Sequence, residues 1–163
     1  MHLSTFDRIV DALPQACQQV YGPRLRALAV FGSVARGVPR PDSDIDLLLV
    51  AEDLPAGRLG RMAEFDHVDE ALAPLFQQAR SQGVHTTLSP VLKTPAELAA
   101  GSLLNLDMVD QARILFDDRG LLRRTLDDLG QRLAAMGARR VRKGGGYYWE
   151  LAPAFRWGDR IEL

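Results

Sequence analysis

Apolar residues recur at helical spacing over Phe6, Ile9, Val10, Leu13, Cys17 and Val20, which predicts an amphipathic helix. Ser4 and Asp7 supply a candidate capping pair at its start, and Tyr21-Gly22-Pro23 a stop. Pro14 falls inside the pattern and predicts a bend or a division there. The pattern then changes. Residues 25–31 form a short continuous apolar run suited to a buried strand, ended by Gly32-Ser33. A Gly/Pro/Arg-rich turn leads to Asp44-Ile45-Asp46-Leu47-Leu48-Leu49-Val50, acidic at its start and apolar at its end, which predicts a second strand.

Residues 58–80 make the longest amphipathic stretch, with Phe65, Val68, Leu72 and Phe76 on the buried side and Pro74 as an expected kink. A third strand is expected over 84–92. Thr94-Pro95-Ala96-Glu97 then has Thr at the N-cap, Pro at the first helical position and Glu at the third, a strong helix start. Further elements are a helix over 103–109, a short strand over 112–116, and a helix through Leu122, Leu126, Leu129, Leu133 and Met136 closed by Gly137. Residues 139–143 and 147–151 flank Gly144-Gly145-Gly146 and predict a hairpin. The remaining stretch carries Phe155, Trp157 and Ile161, too apolar for a free tail. Alternating helices and short strands predict an α/β (α+β) fold, a small mixed β-sheet flanked by helices. We divide it into a body over 1–137 and a hairpin-bearing extension over 138–163.

With 163 residues, 47% hydrophobic and 25% charged, the chain has the make-up of one globular domain, which excludes disordered and collagen-like classes. The single cysteine, Cys17, excludes an internal disulfide framework and a thiolate metal cluster. No apolar run approaches the length of a membrane span, and the first residues lack the pattern of a secretory signal, so the expectation is a cytoplasmic protein with no membrane partner. A net charge of −1 provides no general field for polyanions, leaving Arg139-Arg140-Val141-Arg142-Lys143 as a local basic run. With Tyr147, Tyr148 and Trp149 it has the basic-aromatic character of a nucleic-acid-binding hairpin, but packing and a charged face explain it better.

The chemistry concentrates between residues 30 and 50. A strand ends in Gly32-Ser33, where a missing Cβ lets a phosphate approach the backbone, and the following residues can open a helix whose free N–H groups favour an anion. Asp44 and Asp46 are spaced i, i+2 on the next strand and therefore project from one face. Hard oxygen ligands in that arrangement suit Mg²⁺, which takes one or two carboxylates together with substrate phosphates. Each half alone is common; their combination predicts a metal–triphosphate site.

Gly32-Ser33, ten residues, then Asp44-Ile45-Asp46 resembles the signature of the DNA polymerase beta-like nucleotidyltransferases, and more narrowly of the minimal nucleotidyltransferases of antitoxin type. The hydrophobic strand before Gly32, Ala35-Arg36-Gly37 in the turn and Ser43 before the first aspartate agree with it, and weaker similarity runs through residues 106–109 and 114–117. The resemblance implies that Gly32 and Ser33 hold the β- and γ-phosphates of ATP or another nucleoside triphosphate. It implies that Asp44 and Asp46 are the catalytic, Mg²⁺-binding pair, and that a hydroxyl acceptor receives the nucleoside monophosphate. Arg36 reads equally as a triphosphate contact or a surface residue. Small members of this family resemble antitoxins that modify a tyrosine of a partner HEPN toxin. Transfer to tRNA or a small molecule, and a catalytically inactive nucleotide-binding or partner-masking module, stay open, as does a homo-oligomer.

One part of the family pattern is missing. Active members carry a third carboxylate on a later strand, and residues 84–92 contain no acid. His85 falls near the expected position, though a lone histidine on a strand more often packs or faces solvent. Glu97 reads as a capping residue, Asp107 and Asp110 as helix-surface residues, and Asp42 as a turn residue or an outer ligand. Asp66, His67, Asp69 and Glu70 occupy the polar side of a helix, with Asp66 and Glu70 read as solvated.

Overall fold

The structure, a computed structural model, describes residues 2–144 and 146–151. The expectation that Phe155, Trp157 and Ile161 pack on the body falls outside them. The centre is a four-stranded sheet in the order β3-β2-β1-β4. β1 (Leu25–Phe31) lies antiparallel to both β2 (Ile45–Ala51) and β4 (Arg113–Asp117), while β3 (Leu88–Lys93) runs parallel to β2. A parallel pair needs a crossover, supplied by α3 (Arg58–Ser81). The sheet is therefore mixed, as expected from the sequence.

Strand alternation sorts the apolar residues onto two faces. Leu28 and Val30 of β1 with Ile45, Leu47 and Leu49 of β2 pack against α1 (His2–Tyr21) and α3, around Phe6, Leu13, Phe65 and Val68. Ala27, Ala29, Leu48 and Val50 face the other way, toward Leu98 of α4 (Pro95–Ala99), Met108 of α5 (Leu103–Met108), and Leu122 and Leu126 of α6 (Leu121–Ala135). β5 (Arg139–Lys143) and β6 (Gly146–Glu150) pair antiparallel as a separate hairpin, with Trp149 packed on a small cluster formed by Leu106, Leu129 and Leu133.

Two boundary expectations need correction. α1 begins at His2 rather than Ser4, so Ser4 and Asp7 do not cap it, and it continues through Pro14 without division. An interior proline costs about 3 kcal/mol. Full burial of one large apolar side chain returns roughly 1.5–3 kcal/mol, and Ile9, Val10, Leu13 and Cys17 are buried on both sides of Pro14. α3 likewise runs through Pro74. The third strand starts at Leu88, four residues later than expected; Val84 and Thr86 are buried ahead of it.

Candidate active site

β1 and β2 bring the two halves of the motif together. Phe31 pairs with Asp46, so the chain leaving β1 stands beside the start of β2. Gly32 sits at φ +71°, and a Cβ built on it would overlap Oδ2 of Asp46. Glycine is thus required twice, for a left-handed backbone and for a carboxylate pressed against it. Gly32–Ala35 then forms a single helical turn, α2, closed by Arg36 N–H donating to the Gly32 carbonyl at 3.2 Å. One turn carries no developed macrodipole, so the expected helix-terminus attraction for an anion reduces to the backbone N–H groups of this corner and the Ser33 hydroxyl.

Asp42 belongs to the connecting turn. It is exposed and pairs with Arg40 at 3.6 Å, while Ser43 Oγ accepts from the Arg40 N–H at 2.9 Å. Asp46 projects from the face of β2 that carries Leu48 and Val50, the face covered further along by α4–α6. Asp44 is exposed and Asp46 half-buried. Burial pushes the Asp46 carboxyl above its ordinary pKa; a hydrogen bond from Ser89 opposes the rise, the Asp44 charge adds to it and the Arg36 charge works against it.

The neighbouring parallel strand puts hydroxyls next to both carboxylates. Thr87 Oγ1 donates to Asp44 Oδ1 at 2.9 Å, and Ser89 stands in register with Asp46. Ser89, not His85, therefore stands beside the pair on the neighbouring strand. His85 is exposed ahead of the strand, where its backbone N–H donates to the Pro41 carbonyl at 2.8 Å. Glu97 is fixed elsewhere, in a capping box with Thr94 and a two-pronged pair with Arg61 at 2.7 and 2.8 Å. Asp69 is half-buried, its carboxyl raised by burial and by Asp66, and it lines a separate cavity of about 290 Å³ with Phe76 and Thr86. Among the described residues no group of three His, Cys, Asp or Glu side chains could hold a metal.

Asp44 and Asp46 fit a cation that arrives with its own oxygen ligands. Two like charges on one strand end, one of them desolvated, favour a divalent ion, and two carboxylates completed by phosphate oxygens is a coordination Mg²⁺ accepts. Asp46, but not Asp44, lines a cleft of about 720 Å³ together with Gly32, Arg36, Asp107, Arg140 and Tyr147 among others. Asp107 was expected on a helix surface. It is exposed on α5, as expected, but borders this cleft. Arg140, Arg142 and Tyr147, read from the sequence as a packed charged hairpin, also border it.

Thr87, Ser89 and Gln111 were not singled out from the sequence. Thr87 and Ser89 repeat the i, i+2 spacing of Asp44 and Asp46, a signal that becomes informative only once β3 is known to lie parallel and in register. The approach of the hairpin depends on Trp149 packing against α5 and α6 and has no local sequence signal.

Residues 10–78, the stretch that includes the glycine corner and the paired aspartates, match the sequence model of the nucleotidyltransferase domain family. Among individual proteins it is similar to “Putative protein adenylyltransferase MJ1305” of Methanocaldococcus jannaschii, with 31% identity over 97 residues, 60% of each chain. The chain thus matches about 60% of the length of this curated relative. Similar solved structures include a toxin–antitoxin crystal structure with AMP-PNP, at 19% identity and TM-score 0.48, covering 78% of this chain and 92% of that one. Another is the tri-AMPylated Shewanella oneidensis HEPN toxin in complex with MNT antitoxin, at 18% identity and TM-score 0.42, covering 84% and 93%. Among the described residues no helix is long and apolar enough to cross a membrane.

Proposed function

We propose that this domain transfers a nucleoside monophosphate, AMP from ATP first among them, to a hydroxyl of another protein, with residues 1–137 as the transferase body. The observation that carries the reading is the contact of the Gly32 corner with Asp46, too close for any side chain at position 32, at the edge of a cleft of about 720 Å³. The name of the archaeal relative, a protein adenylyltransferase, supports both the donor and the acceptor class.

In this reading the backbone at Gly32 and the Ser33 hydroxyl hold the β- and γ-phosphates, and Arg36 neutralises them. Asp44 and Asp46 would hold Mg²⁺, which when bound would supply charge neutralisation on the phosphates and lower the pKa of the acceptor hydroxyl. The acceptor oxygen attacks the α-phosphorus in line. The bond from the α-phosphorus to the α–β bridging oxygen breaks, pyrophosphate leaves with the electron pair, and the acceptor proton passes to solvent. Thr87 and Ser89 orient the two carboxylates through their hydrogen bonds. The rate gain is alignment and electrostatics.

A tyrosine hydroxyl, such as one on a HEPN-type toxin, is the acceptor the site favours. With Ser89 where an acid would assist deprotonation, an acceptor that ionises easily is needed. A phenol, with a pKa of about 10, meets that need far better than an aliphatic hydroxyl. The same serine supports the second reading, a module that binds nucleotide or masks a partner without turnover.

Incubation with labelled ATP, Mg²⁺ and a panel of tyrosine-bearing protein, tRNA and small hydroxyl acceptors tests these alternatives. Label on protein, lost in Asp44→Asn and Asp46→Asn, is the expected result. Nucleotide binding without transfer to any acceptor would replace it with the second reading.

A further inference from the structure

The hairpin after α6 turns a charged face toward the cleft. In the β5–β6 register Arg140 lies opposite Trp149 and Arg142 opposite Tyr147, so these four residues share one side of the ribbon. Trp149 packs that side against the body beside Leu129 and Leu133. The anchoring side is therefore the side that brings Arg140 and Arg142 to the cleft containing Gly32, Arg36 and Asp46.

The arginines there differ from those around them. Arg139, on the opposite side of the ribbon, has its counter-ion in Glu150 at 2.6 Å, and Arg113 pairs with Asp7 and Asp11 at 3.2 Å each. Among the described residues no carboxylate lies within ion-pair distance of Arg36, Arg140 or Arg142. Arg36 and Arg140 instead compete for one neutral amide. Gln111 Oε1 accepts from Arg36 Nη1 at 3.4 Å, and with the amide turned over it accepts from Arg140 Nη1 and Nη2 at 2.7 and 2.8 Å. The Tyr147 ring lies 4.4 Å from the Arg140 guanidinium carbon and fixes it from one face. The Gln111 oxygen can thus satisfy Arg36 or Arg140 but not both at once, and an anion with several oxygens would serve both guanidinium groups.

We infer that Arg140 and Arg142 bind the polyphosphate tail of the nucleotide, closing the donor site from the side opposite the Gly32 corner. The inference rests on the nucleotidyl-transfer reading above and assigns to the hairpin a part of the donor site that lies outside residues 10–78 matched by the family. A polyphosphate fits better than a nucleic-acid acceptor because Arg36, Arg140 and Arg142 converge on one cleft, whereas the whole chain has a net charge of −1.

Calorimetric titration of the full chain with MgATP, magnesium tripolyphosphate and AMP tests the assignment. Arg140→Gln and Arg142→Gln should each weaken MgATP and tripolyphosphate binding about tenfold or more, the range of a lost charge-assisted hydrogen bond, and leave AMP binding unchanged. Arg140→Lys should fall between. Arg139→Ala is the control on the same hairpin and should bind as the unsubstituted protein does, and matching thermal unfolding verifies folding throughout. If the Arg140→Gln/Arg142→Gln variant keeps full MgATP affinity, the inference is overturned. If the unsubstituted protein binds neither MgATP nor tripolyphosphate, the nucleotidyl-transfer reading itself fails.

Discussion

Gly32 and Asp46 occupy each other's space: the left-handed glycine backbone lies where any β-carbon would collide with the Asp46 carboxylate. Gly32→Ala should therefore act on both stability and activity. An alanine held at positive φ costs about 1–3 kcal/mol, and the displaced carboxylate would disturb alignment with the donor phosphate. A misplacement of about 1 Å can cost on the order of a hundredfold in rate. Urea unfolding and single-turnover label transfer measure the two effects separately. A variant as active as the parent would remove the close approach from the mechanism.

Asp46 also makes a pH prediction for the metal-free protein. Its folded pKa is raised, chiefly by burial, so the folded chain holds this proton to higher pH than the unfolded chain does. The resulting stability is complete below the unfolded value and is lost as pH rises through the folded one. With EDTA present, Asp46→Asn should flatten this decline and be neutral or stabilising at pH 7. Addition of Mg²⁺ and ATP should stabilise the parent and not the variant. Denaturant midpoints between about pH 3 and 7 test the first point, and thermal shifts with ligand test the second. A large loss of stability in metal-free Asp46→Asn would make the residue structural.

Legibility in the sequence followed the range of the interactions. Phe6–Val20 declared a helix through its period, and Gly32-Ser33 with Asp44 and Asp46 declared a site because adjacent antiparallel strands keep those segments together. What failed to show came from farther along the chain. Ser89 reaches Asp46 only through the parallel crossover, so its place beside the pair has no signal in the local sequence. Division of the helix at Pro14 does not occur because the burial around that residue, which has no local signal, outweighs its local cost. Arg140 and Arg142 read as part of a packed, charged hairpin, and the cleft that their side of the ribbon faces follows only from where Trp149 packs.

Glu97 provides a contrasting carboxylate. The Arg61 guanidinium, followed by the Thr94 backbone N–H, holds its pKa down to about 2. Its contribution to stability is present above the ordinary glutamate range and is lost as pH falls from there through about 2. Glu97→Gln removes the charge from the Arg61 pair, and Thr94→Ala removes the hydroxyl half of the capping box. Loss of such a cap costs about 0.5–2 kcal/mol. Both substitutions should lower the unfolding midpoint while leaving MgATP affinity intact. If Glu97→Gln instead abolished metal-dependent binding with folding preserved, Glu97 would be acting at the metal site.

Ser89 permits the most direct test of how the carboxylate pair is completed. Its side chain stands in register with Asp46 and already hydrogen-bonds to it, so Ser89→Asp would set a third acid beside Asp44 and Asp46. Without a cation, three like charges at one sheet end repel, and the variant should be less stable than the parent at pH 7, with the deficit shrinking as pH falls and the acids protonate. With Mg²⁺ the sign reverses: another carboxylate ligand strengthens cation binding, and the thermal shift on adding Mg²⁺ should exceed that of the parent. Ser89→Ala removes the hydrogen bond without adding charge and should raise the Asp46 pKa further, weakening Mg²⁺ binding near the acid end of the range. A Ser89→Asp protein whose melting temperature ignores Mg²⁺ would show that β3 does not face the ion, and with that the role of Ser89 beside Asp46 would fall.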